Sequence, residues 1–273
     1  MKPLVKWVGG KTQLVNKISS LLPEKINTYF EPFFGGGAIG FNLAISNSYF
    51  SDLNEDLINL YICIRDDYKK VIYNIEKMRI SYNQDPENFF YCLRSEDRKT
   101  TFKDKCDYWK SARLIFLNKT CFNGIYRVNS KGQFNAPWNK KEQAPKIYDI
   151  ENVIKIAKFL KTTKIECHSF EKILDIVKEG DFVYLDPPYD KLNSNSFISY
   201  NSSSFDQKEQ KELADFCQKL NNKNVKFLLS NHNTDLVSTI YKDFKIEKVL
   251  VNRNVNSNGK NRKNHEEVLI KNY

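Results

Sequence analysis

Two hydrophobic rhythms divide the chain. In the first, apolar runs of strand length alternate with helical stretches. Tyr29 to Phe34 reads as a strand, Gly35 to Gly40 as a tight turn, and Phe41-Asn-Leu-Ala44 as the opening of a helix. A second strand-like run, Ser48 to Ser51, ends at Asp52. This predicts the βαβ opening of a mainly parallel sheet. From about Leu57 to Ser111 charged residues alternate with Tyr, Ile and Leu at helical spacing. Thr120 to Gln143 is rich in Asn, Gly, Lys and aromatics and predicts a loop or hairpin. The α/β rhythm then resumes with Lys164 to Cys167, Asp181 to Leu185, a helix near Gln207 to Leu220, and Val225 to Leu229. Two last strand-like runs, Lys245 to Asn252 and Glu266 to Tyr273, flank the polar, basic loop Asn254 to Lys263. No internal repeat is visible. The expected organisation is one α/β domain, residues 1–55 and 145–273, interrupted by a mainly helical insert at 56–144.

Composition narrows the class. Hydrophobic residues make up 41% of the 273 and aromatics 14%, enough for a sizeable core and too much for a disordered chain. No run approaches the ~18 apolar residues of a membrane span. Lys6 stands where a signal peptide needs an apolar stretch, so a cytoplasmic protein is expected. The six cysteines form no Cys-x-x-Cys pair and only three histidines are present, which argues for reduced thiols and no metal. Lys and Arg (43) exceed Asp and Glu (33) by ten, spread without a polybasic tail. That excess fits a basic solvated surface or a polyanion partner, and charge alone leaves both open.

Three segments carry candidate chemistry. Gly35-x-Gly37-x-x-Gly40 follows a predicted strand and precedes a helix, as a dinucleotide fingerprint does. Glycine is needed there for positive φ and for close approach of a ligand. Asp52, ending the next strand, can accept hydrogen bonds from ribose hydroxyls. NAD and S-adenosylmethionine both fit, and so does a glycine turn that serves packing alone. Lys6-Trp-Val-Gly-Gly-Lys11-Thr12 invites a P-loop reading, but Val5 stands where that motif needs glycine and no strand precedes it. Trp7 is then either core or a wall of a site, and Lys11 a partner for a carboxylate or phosphate. The most specific segment is Asp181-Phe-Val-Tyr-Leu-Asp186-Pro187-Pro188-Tyr189. A strand runs into a stiff proline corner, where open α/β sheets bind ligands. Asp186 and the Pro187 carbonyl offer two acceptors and Tyr189 a flat face. Together these suit a planar group bearing an exocyclic amine.

These residues resemble the D12-class, Dam-type DNA adenine N6-methyltransferases. The likeness rests on Lys6-Trp7-x-Gly9-Gly10-Lys11, Phe30-Glu31-Pro32-Phe33-x-Gly35-Gly36-Gly37, Ser51-Asp52-x-Asn54, Asp186-Pro187-Pro188-Tyr189 and the stretch Asn123-Gly124-Ile125-Tyr126-Arg127 through Asn135 and Pro137. It runs nearly end to end, in the order glycine loop, recognition insert, Asp-Pro-Pro-Tyr. The resemblance implies a Rossmann-like class I methyltransferase sheet with a C-terminal antiparallel strand, and S-adenosylmethionine as cofactor. Trp7, Lys11, Phe34, Gly35, Gly36, Gly37, Asp52 and Asp186 would contact that cofactor; Asp186, Pro187, Pro188 and Tyr189 would act on a flipped adenine. A recognition hairpin at about 120–139 would place Phe122, Asn123, Gly124, Ile125, Arg127, Asn135 and Pro137 on duplex DNA, with Lys6 and Lys140 beside them. Arg127 is expected on guanine O6 and N7 or, failing that, on a phosphate. Phe122 is expected to wedge into the base stack. The implied target is GATC, and the implied partners are double-stranded DNA and a cognate restriction endonuclease, in a bacterial or phage setting. One departure stands out. After Pro137 the chain reads Trp138-Asn-Lys140-Lys141, where relatives have an aromatic-Gly-Arg-Tyr run, so the contacts of the aromatic missing at Lys141 are in doubt. Arg253, Lys260, Arg262 and Lys263 form either a second backbone clamp or a solvated loop.

Three rivals remain at this level. An NAD(P)-dependent oxidoreductase accounts for the glycines but has no use for Asp-Pro-Pro-Tyr. An RNA methyltransferase shares the catalytic motif but not the hairpin. A catalytically dead DNA-binding module is opposed by intact Asp186 and Tyr189.

Overall fold

The structure, a computed structural model, describes residues 1–190, 205–251 and 265–273. In chain order its elements are α1 (Val15–Ser20), β1 (Tyr29–Glu31), α2 (Gly40–Leu43), β2 (Ser48–Asp52), α3 (Glu55–Gln84), α4 (Pro86–Ser95) and α5 (Asp107–Thr120). There follow α6 (Ile150–Leu160), β3 (Thr163–Cys167), β4 (Phe182–Leu185), α7 (Gln207–Asn222), β5 (Lys226–His232), α8 (Asp235–Ile240), β6 (Lys245–Val251) and β7 (His265–Lys271). Among the described residues seven strands form one sheet in the order β3-β2-β1-β4-β5-β7-β6. β3, β2, β1, β4 and β5 are mutually parallel, and β7 runs antiparallel between β5 and β6. This is the mixed α/β sheet with an antiparallel C-terminal strand that the sequence predicts.

Alternation along the strands explains why both faces are covered. Tyr29, Phe50, Phe182, Tyr184 and Leu228 point to one layer, with Ile18, Phe41, Leu57 and Ile156. Phe30, Tyr49, Val183, Leu185, Phe227 and Leu229 point to the other, with Ile173, Leu213, Phe216 and Val237. Such two-sided burial is what parallel strands require. β1 is shorter than its apolar run because Pro32 has no N–H to give a ladder.

The strand order reverses between β1 and β4, so the crevice at the carboxyl ends of these two strands is the topological switch point. The glycine loop leaves β1 there and the proline corner leaves β4. Residues 56–144 take in α3 from its first turn, α4, α5 and the hairpin that follows. α3 breaks at Asp67 (φ −156°), and its second half carries Val71, Ile75, Met78 and Tyr82 inward against α5 and the hairpin. Tyr82 Oη donates to the Lys141 carbonyl and accepts from Trp138 Nε1 at 2.8 Å. Trp138, just before the divergent Asn139-Lys140-Lys141, thus anchors the end of the hairpin. All six cysteines are free. Among the described residues no helix is long and apolar enough to cross a membrane. Arg253, Lys260, Arg262 and Lys263 lie outside the described residues.

Candidate active site

Gly35 (φ +49°) and Gly37 (φ +70°) turn the chain sharply after β1. Trp7, from the N-terminal strap, lies directly over this loop. A Cβ on Gly35 would come within 3.1 Å of its indole, and one on Gly36 within 2.9 Å of the Trp7 Cβ. Phe34 is buried beneath, stacked on Phe50. Asp52 fixes the loop from β2: Oδ2 accepts the Gly35 N–H at 2.8 Å, and Oδ1 accepts the Asn54 N–H at 2.9 Å. Burial raises the Asp52 carboxyl above its ordinary range, although those backbone N–H groups oppose the shift. Tyr61 Oη, from α3, donates to the Gly35 carbonyl.

Across the switch point, Asp186 directly follows β4. Its Oδ1 receives Lys11 Nζ at 2.9 Å and Ser230 Oγ at 3.0 Å. The Lys11 ammonium, 7% exposed, also sits 4.2 Å from the centre of the Tyr189 ring and bonds the Gly9 carbonyl. The sequence offered Lys11 a carboxylate or a phosphate; the structure gives it a carboxylate of the chain itself. Burial pushes the Asp186 carboxyl upward, and the neighbouring Lys11 charge pulls it back. Tyr189 turns its phenol to Glu267 on β7, at 2.9 Å, with its ring edge-to-face on His232. Burial and the Asp186 and Glu267 carboxyls keep that phenol neutral far above its usual range. Pro187 is buried and Pro188 exposed. Trp7, the glycine loop and Asp52 therefore form one group, Lys11, Asp186 and Tyr189 a second, and the N-terminal strap belongs to both.

The strap also reaches the hairpin. Trp7 stacks on Tyr126 with ring centres 4.6 Å apart. The fully buried Asn118 of α5 accepts from the Lys6 N–H at 2.8 Å and donates to the Lys6 and Gly124 carbonyls at 2.9 and 3.0 Å. Lys6 Nζ bonds the Asn123 carbonyl at 2.8 Å. Asn123 and Gly124 both have positive φ, and a Cβ on Gly124 would press on Lys6. Phe122, at the outside of this turn, is 56% exposed, unusual for a large apolar side chain. The hairpin is tied by single antiparallel bridges at Cys121–Trp138 and Val128–Phe134. Between them Arg127 gives Nε to Asn135 Oδ1 at 2.7 Å and Nη2 to the Asn135 carbonyl at 2.9 Å, which fixes the guanidinium plane. Ile125 is half-buried behind it; Pro137 and Lys140 are exposed. The return limb is gripped from behind by Asp97, whose Oδ2 takes the Phe134 N–H at 2.8 Å and the buried Arg113 at 2.9 Å.

Asn118, Asp97 and Arg113 escape sequence reasoning. The one signal for Asn118 is an amide closing the apolar run Leu114-Ile-Phe-Leu117.

The family model of the D12 class N6 adenine-specific DNA methyltransferases matches residues 7–255. The chain is 40% identical to type II methyltransferase M.MjaIII of Methanocaldococcus jannaschii, covering 100% of this chain and 99% of that one. It is 37% identical to type II methyltransferase M1.LlaDCHI of Lactococcus lactis subsp. cremoris, over 100% and 96%. The DNA adenine methylase of Escherichia coli K12 is 29% identical over 98% and 94%. A methyltransferase of this kind uses S-adenosylmethionine as methyl donor and DNA as substrate. The chain belongs to the D12 class of N6 adenine-specific DNA methyltransferases.

Proposed function

We propose that this enzyme methylates N6 of an adenine flipped out of duplex DNA, at GATC, with the residues of the β1–β4 crevice. The observation that carries the proposal is the convergence of Asp186 and Tyr189 with Lys11 on the far side of the crevice from Asp52 and the glycine loop. When bound, S-adenosylmethionine supplies an electrophilic methyl group on its sulfonium. The donor set fits it. Asp52 is a half-buried carboxylate at the rim of the glycine loop, with lone pairs left for ribose hydroxyls beyond the backbone N–H groups it accepts.

Asp186 and the Pro187 carbonyl accept hydrogen bonds from the two N6 N–H groups, so that the N6 lone pair is left pointing at the methyl donor. Tyr189 stacks on the adenine ring, which requires Lys11 to leave its face. Asp186, made more basic by burial, takes the proton that N6 sheds. No protein nucleophile takes part, and the rate comes from positioning and charge complementarity.

The sign of the pH dependence follows. Activity needs ionised Asp186, so it falls on acidification through a pKa above the ordinary ~4. Lys11→Met removes the largest influence holding that pKa down, so the acid limb of kcat/KM moves to higher pH. A pH–rate profile checks this; an unmoved limb would mean that another group titrates.

Residues 56–144 supply recognition in this proposal. Phe122 fills the space that the extruded base leaves, and Lys6 and Lys140 touch the duplex. Arg127→Ala is expected to lower discrimination between GATC and single-substitution duplexes by about 1–3 kcal/mol at the guanine it contacts. Equal weakening on every sequence would make Arg127 a phosphate contact instead. The two relatives named type II methyltransferases support a restriction endonuclease acting on the same site. Digesting DNA from expressing cells with nucleases that cut only methylated or only unmethylated GATC tests the target. Cleavage by the second kind alone would refute it.

A further inference from the structure

The proline corner is held from behind by two side chains with no exposure at all, Gln210 and Asn231. Gln210, at the end of the first turn of α7, donates Nε2 to the Pro188 carbonyl at 3.0 Å. Its Oε1 accepts from Asn231 Nδ2 at 3.1 Å. Asn231, near the end of β5, turns Oδ1 to the Asp190 N–H at 3.0 Å and to the His232 N–H at 2.8 Å. A continuous chain therefore runs from the carbonyl before Tyr189, through two amides, to the N–H after it. Asp190 is tied again by its carbonyl to His232 Nδ1 and by its carboxylate to Thr234 Oγ1, each at 2.6 Å.

Burying two primary amides is costly unless their donors and acceptors are met, and an apolar pair would pack α7 on β5 without that cost. What an apolar pair cannot do is bond Pro188 and Asp190. Pro187 and Pro188 have no N–H with which to tie themselves to the sheet, so the corner depends on groups brought to it.

We infer that Gln210 and Asn231 are positioning residues for methyl transfer, bracketing Tyr189 so that the extruded adenine is stacked at the distance the reaction needs. The inference rests on the adenine-methylation function proposed above. Neither side chain touches substrate; both act through the backbone on either side of Tyr189.

The test is single-turnover methylation of a GATC duplex by Gln210→Leu, which leaves the Pro188 carbonyl and Asn231 Nδ2 unmet. A second variant, Gln210→Asn, keeps an amide that is one methylene too short to reach both partners. A displacement of about 1 Å costs on the order of a hundredfold in rate. The expected result for both variants is a rate constant lower by roughly ten- to a hundredfold, with affinities for S-adenosylhomocysteine and duplex within about threefold of wild type. A duplex carrying 2-aminopurine at the target adenine should fluoresce more brightly in the variant complexes, because the flipped base stacks less well on Tyr189. Wild-type rates in both variants would overturn the inference. So would a rate loss matched by equal losses in cofactor and DNA affinity, which marks general disruption. Failure of the wild-type enzyme to methylate adenine in duplex DNA is seen before any variant is made, and it would overturn the inference together with the function on which it rests.

Discussion

Asp186→Ala is expected to reduce the single-turnover rate of methyl transfer at least a thousandfold, about 4 kcal/mol of transition-state stabilisation. In the proposed mechanism the variant removes the acceptor for the N6 amine, in a crevice where a preorganised charge is worth more than in water. A second consequence is separable. Lys11, 7% exposed, loses the carboxylate 2.9 Å away and is left as a buried, unpaired ammonium. Breaking a buried pair from one side costs roughly 3–5 kcal/mol of stability. The double variant Lys11→Met with Asp186→Asn removes both charges and should recover most of the stability. It should recover none of the activity. Thermal melting and single-turnover kinetics on the three proteins separate the roles, and an active double variant would show that Asp186 matters only for folding.

The second large effect lies in the glycine loop. A Cβ on Gly37 would stand 2.5 Å from Phe41 and 2.8 Å from Phe34, at φ +70°. Both rings are buried, so neither can swing away. Overpacking costs about 1–3 kcal/mol and the left-handed backbone about 1–2 more. Gly37→Ala should therefore melt roughly 5–15 °C below wild type for a chain of this size. Gly132→Ala is the control: its φ is +74°, but nothing lies within 4 Å of the new methyl group. It should pay the backbone cost alone. Equal melting shifts for the two variants would remove close packing as the reason for Gly37.

Most of the crevice was legible because its residues carry their chemistry locally. A glycine turn after a strand, a carboxylate ending the next strand and a strand running into Asp-Pro-Pro-Tyr each point to the carboxyl ends of a parallel sheet. The strands themselves show as short continuous apolar runs, Phe182-Val-Tyr-Leu185 most clearly. What stayed hidden depends on partners distant in sequence. Lys11 looks like part of a basic strap until β4 brings Asp186 to it. Gln210 lies in Gln207-Lys-Glu-Gln-Lys-Glu212, a run that reads as a solvated helix start, yet it faces inward with no exposure. Asp97 and Arg98 likewise look like surface charges. In the fold, one takes the Phe134 N–H and the other the Phe134 carbonyl. Periodicity marks which face of an element is apolar; it carries no mark for a polar side chain turned inward to hold a backbone.

The most direct measurement is mass spectrometry of nucleosides from a GATC-containing duplex incubated with the purified enzyme and S-adenosylmethionine labelled on its methyl group. Labelled N6-methyladenosine of the deoxy series, absent when Asp186→Ala replaces wild type, is the predicted product. Label on cytosine with adenine unchanged, or no label on the duplex at all, would contradict the purine grip assigned to the β4 corner.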